Sequence, residues 1–109
     1  MSDPVAAYQR AYQELQAATA AAERVVGVVT DAARKLGRWQ DVEVTYPDGG
    51  YPPQLTEGAR QNKINPQHWP SAEALHKTLL GWHKARAALQ AAWDLVPPDR
   101  RAGLIPPSA

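Results

Sequence analysis

The stretch PVAAYQRAYQELQAATAAAERVVGVVTDAARKL, Pro4 to Leu36, decides the fold. Its apolar positions fall at Val5, Tyr8, Tyr12, Leu15, Thr19, Ala22, Val26, Val29, Ala33 and Leu36. The spacing alternates three and four through five heptads, which is the pattern of a coiled-coil seam. Asp3 can cap this helix, and Pro4 suits a first helical position, where its missing N–H has no partner to lose. Arg34 and Lys35 favour the negative end of the helix dipole, and Gly37 follows as a stop. At 1.5 Å per residue the element spans about 50 Å. Val25-Val26-Gly27-Val28-Val29-Thr30 has local strand character, because β-branched residues fit sheets, and Gly27 costs a helix about 1 kcal/mol relative to alanine. The heptad phase runs through it unbroken, so one helix is expected over 4–37. Val25 and Val28 widen the apolar arc beside Val26 and Val29. A helix apolar over a wide arc needs more than one neighbour.

A second helix is expected over 71–96. Ser71 is its cap and Glu73 lies in its first turn. The seam is Ala72, Leu75, Leu79, Trp82, Arg86, Leu89, Trp93 and Val96, again alternating three and four. Arg86 interrupts it, so the arginine needs an acidic partner or the face turns towards Ala85. Pro97-Pro98 ends the element. The expected fold class is therefore all-α, an antiparallel two-helix hairpin resembling a coiled coil, in one domain over 1–109.

Residues 38–70 form a long connector without helical periodicity. Val42-Glu43-Val44-Thr45-Tyr46 alternates like a strand, and Pro47-Asp48-Gly49-Gly50 is a turn signal. A small β-hairpin fits this pattern, with Tyr51-Pro52-Pro53 confined to an edge by its prolines. Trp39, Tyr46, Tyr51 and Trp69 supply aromatic anchors, which either pin the connector to the helices or offer a recognition surface. The tail, 97–109, is expected to be extended, with Leu104-Ile105 folding back on the hairpin or docking on another chain.

Composition narrows the chemistry. The 109 residues include no cysteine, so disulfides and cysteine-ligated metals are excluded. That absence, with an N-terminus unlike a signal peptide, favours a cytoplasmic setting. No apolar run approaches membrane-span length, so no membrane partner is expected. His76 and His83 share a face but lie about 10 Å apart along the axis, too far to hold one metal ion. No phosphate-cradling glycine loop or nucleophile–base arrangement is present. No cofactor and no enzymatic activity are expected.

Formal net charge is +1, unevenly spread. Arg34, Lys35 and Arg38 cluster at the end of the first helix, and Lys77 and Lys84 share a face of the second with His76 and His83. The stretches Trp69-Pro70-Ser71-Ala72-Glu73-Ala74-Leu75, Gly81 to Leu89 and Pro97 to Leu104 resemble small uncharacterised helical proteins of phages and prophages. That resemblance implies no functional residues.

The reading is a non-enzymatic assembly or adaptor protein, a homo-oligomer that also contacts another protein. Its interface residues would be Val25, Val26, Val28, Val29, Trp39, Tyr51, Trp82, Trp93, Leu104 and Ile105. The alternative is a nucleic-acid-binding or packaging accessory using Arg34, Lys35, Arg38, Lys77 and Lys84, since phosphate binding follows summed positive charge.

Overall fold

A computed structural model describes residues 3–45, 51 and 62–107. The turn expected at Pro47 to Gly50, the anchor Tyr46 and the Pro52-Pro53 edge lie outside the described residues. Two helices dominate: α1, Pro4–Leu36, and α2, Ala72–Leu95. They pack against each other. Among the described residues no helix is long and apolar enough to cross a membrane.

Both helices begin as the sequence dictates. Asp3 Oδ1 accepts the Val5 N–H at 3.1 Å, and Ser71 Oγ accepts the Ala74 N–H at 3.0 Å. Each satisfies an amide that the first helical turn leaves without a carbonyl. The valine-rich stretch stays helical, because α1 runs unbroken through Gly27 to Leu36. Pro97 and Pro98 then stop α2, and a short 3₁₀ turn occupies Pro98–Arg100.

Backbone contacts divide the chain into two compact units, Met1–Glu23 with His76–Ala109, and Arg24–Leu75. The first is organised around buried Tyr8, Ala11, Leu89 and Val96. Val5, Tyr12, Leu15, Ala92, Trp93 and Leu104 pack against that cluster. The Tyr8 ring lies 5.2 Å from Trp93 and 6.4 Å from Tyr12, tilted against both. Such offset aromatic pairs add about 0.5–1.5 kcal/mol each beyond the area they bury. The thin centre of the expected seam is filled from the other helix: Trp82 Nε1 donates to Thr19 Oγ1 at 3.0 Å. Ala85 and Arg86 are both half-buried.

The tail is tied to this unit at three points. The Tyr8 hydroxyl donates to the Ile105 carbonyl. Arg101 Nε and Nη2 donate to the carbonyls of Val96 and Trp93, at 3.0 and 3.2 Å, while its guanidinium lies 4.8 Å from the centre of the Trp93 ring. Arg100 reaches Asp3 at 3.2 Å. Gly103, at φ 84°, bends the chain through the left-handed region, which an L side chain enters only with strain. Leu104 thereby packs on the core cluster, the first of the two alternatives read for the tail and not the interface role assigned to this residue.

The second unit holds a short parallel strand pair, β1 (Glu43–Val44) and β2 (Lys63–Ile64), in register Glu43↔Lys63 and Val44↔Ile64. The described partner of β1 is thus parallel, whereas the turn and the Pro52-Pro53 arm of the expected β-hairpin lie outside the described residues. The pairing goes to residues 63–64, whose separation from β1 exceeds the dozen residues a parallel crossover needs. Thr45 N donates to the Ile64 carbonyl at 2.8 Å and Glu43 N to that of Asn62 at 3.2 Å. Among the described residues of this unit, Val42, Ile64 and Ala32 are the buried apolar ones.

Here α1 departs from the expected seam. Val26, Val29, Ala33 and Leu36 are exposed, while Ala32 is buried and Val25 half-buried. At about 100° per residue, Val25 and Ala32 sit roughly 100–120° around the axis from Val26. The helix therefore presents a different stripe to this unit than the heptad pattern indicates.

Candidate interaction surface

The C-terminal third of α1 carries charge and apolar surface side by side. Asp31 bonds Arg34 one turn on and lies 3.4 Å from Lys35 Nζ. The Lys35 and Arg34 cations hold its carboxyl below the usual carboxylate range. Arg38 pairs with Asp41 at 3.5 Å across the 3₁₀ turn Trp39–Asp41. Three of the five basic residues expected to meet nucleic acid are thus engaged with nearby carboxylates. These are solvated ion pairs of small net stabilisation, and a polyanion would have to displace them. Lys77 and Lys84 are exposed on α2, with no ion pair among the described residues.

The apolar residues divide by environment. Val26, Val28 and Val29 are exposed by 36–42% of their surface. Beside them an apolar groove of about 210 Å³ is lined by Val29, Ala32, Ala33, Leu36, Trp69 and Pro70. Trp69 reaches it because the Asn65 side chain, accepting the Gln67 N–H at 3.0 Å, caps the 3₁₀ turn Pro66–His68 just before it. Trp39 is exposed over 68% of its surface. The Tyr51 hydroxyl accepts the Val44 N–H at 3.0 Å, so this tyrosine pins the open edge of β1.

Val25 is half-buried in the second unit, and the remaining expected interface residues lie in the first. Trp82 and Trp93 are half-buried, the former on Thr19 and the latter between Tyr8 and Arg101. Leu104 packs inward and Ile105 keeps 60% of its surface exposed. The structure thus gathers Val26, Val28 and Val29 on one helical segment and commits Trp82, Trp93 and Leu104 to internal packing. Leu36 and Pro70 join the apolar surface without having been singled out for it, beside Trp69, one of the aromatic anchors for which a recognition surface was the second reading. The seam position of Leu36 was the available signal, whereas Trp69 and Pro70 come there through the connector. Comparison with protein families, with curated proteins and with solved structures finds no match for this chain.

Proposed function

We propose that the chain is a non-enzymatic assembly or adaptor protein that acts as a homo-oligomer through protein–protein contacts. The observation that carries this is exposed Val26, Val29 and Leu36, which fall within about 80° of one another around α1 beside the Trp69–Pro70 groove. Singly scattered apolar residues are ordinary on a protein surface, whereas a contiguous patch marks an interaction site. Exposed Trp39 extends the aromatic content of the same unit, and tryptophan is enriched at interfaces. The two helices form an antiparallel hairpin in this reading. Tyr8 meets Trp93 and Thr19 meets Trp82, so the contacts advance along one helix as they retreat along the other.

Light scattering coupled to gel filtration, from about 5 to 500 μM protein, tests the reading. The expected result is a mass above the 11.9 kDa of one chain, reduced to that of one chain by Val26→Asp together with Val29→Asp. Both positions are exposed, so the variant should keep its helical circular dichroism. A one-chain mass across the whole range for the unsubstituted protein overturns the proposal.

A further inference from the structure

A cavity of about 340 Å³ opens within the second unit, walled by α1 and by the segment from β2 to Trp69. Its lining includes Lys35, Lys63 and His68, one acid, Asp31, and the apolar surfaces of Val28 and Trp69. These residues come from two separate parts of the chain, 28–35 and 63–69, and converge only through folding. The carboxylate is already engaged by Arg34 and Lys35. Lys63 is exposed, and neither it nor His68 has an ion pair among the described residues. The cavity therefore joins positive charge not matched within it to a partly exposed indole. A volume near 300 Å³ is the lower end of what small-molecule sites offer.

We propose that this cavity binds a small aromatic oxyanion, its flat ring against Trp69 and its phosphate or carboxylate beside Lys63, His68 and Lys35. A planar anion satisfies both features at once. The lysine and histidine N–H groups donate charge-assisted hydrogen bonds to the head, and the indole face accepts the ring. An inorganic anion would use only the first feature, and a neutral ring only the second. Asp31 opposes the ligand and holds Lys35 back from it, so it sets the affinity from inside the site.

Titration calorimetry of the full chain at low salt tests this with four probes: adenosine 5′-monophosphate, adenosine, inorganic phosphate and 4-hydroxyphenylacetate. The expected result is that at least one aromatic anion binds at least tenfold more tightly than adenosine and inorganic phosphate. Preference for the monophosphate assigns a phosphate head, and preference for the phenylacetate a carboxylate. Lys63→Gln and Trp69→Leu should each weaken that ligand at least fivefold, Asp31→Asn should tighten it, and Lys77→Gln on α2 should leave it unchanged. Helical circular dichroism checks that each variant is folded. Absence of saturable binding of either aromatic anion up to about 10 mM overturns the proposal. So does binding that Lys63→Gln and Trp69→Leu both leave intact.

Discussion

Tyr8 joins the two ends of the chain, and its substitution tests how the first unit is held. The residue is 1% exposed, its ring sits between Trp93 and Tyr12, and its hydroxyl donates to the Ile105 carbonyl. Tyr8→Phe removes the hydrogen bond alone. Ile105 is 60% exposed, so water can replace the lost donor at its carbonyl. The expected loss is about 1 kcal/mol, within the range for a neutral hydrogen bond. Tyr8→Leu also removes two aromatic pairs, for a total of about 2–4 kcal/mol. Tyr8→Ala adds the cavity left by a large side chain and should exceed about 4 kcal/mol. A domain of this size has a total stability of about 5–15 kcal/mol, so the alanine variant should be close to unfolding. Urea denaturation followed by tryptophan fluorescence reads all three. Alkaline pH gives an independent arm. Burial, and secondarily the neighbouring Tyr12, raises the Tyr8 phenol above its ordinary 10.0. The unfolded chain then loses its proton first, so this contribution is complete below pH 10 and falls as pH rises further. Tyr8→Phe should show a smaller alkaline loss than the parent. Equal stability of parent and Tyr8→Phe at neutral pH, together with a loss below about 1.5 kcal/mol for Tyr8→Ala, would refute the packing described for this unit.

Two further substitutions probe the tail. Gly103→Ala places a side chain at φ 84° and should cost about 1 kcal/mol through backbone strain, read as a lower urea midpoint with unchanged slope. Arg101→Lys keeps the charge but loses the forked donation to the Val96 and Trp93 carbonyls at the end of α2. It should destabilise by about 1–2 kcal/mol in the same assay and raise amide exchange at Leu104 and Ile105, the residues before Pro106 that carry an N–H; unchanged exchange would show that the tail is held without it.

The helices were legible in the sequence because their determinants are local. Asp3, Pro4, Ser71 and the Pro97-Pro98 pair act within one turn of themselves, and the three–four spacing in 4–22 reflects a face that does become covered. Valine's preference for strands was overridden, since α1 continues through Val25 to Thr30. The apolar character of Val26, Val28 and Val29 was equally legible, being a matter of composition and spacing. Periodicity shows that a helix has an apolar stripe but not what covers it.

What only tertiary structure decided concerns residues far apart in sequence. The parallel partner of β1 lies at 63–64, beyond reach of any hairpin signal, and no pattern in 38–70 marks that register. Lys63, His68 and Trp69 become neighbours of Lys35 only when the connector closes on α1, so their shared cavity had no motif. Likewise Arg101 caps α2 and stacks on Trp93 because Gly103 and the 3₁₀ turn bring the tail back. By itself the sequence determined two long helices, where they begin and stop, and a valine surface on the first. The fold decided which of their residues are covered and which stand free, because burial depends on what the connector and tail reach, and that is settled by non-local packing rather than by local propensity.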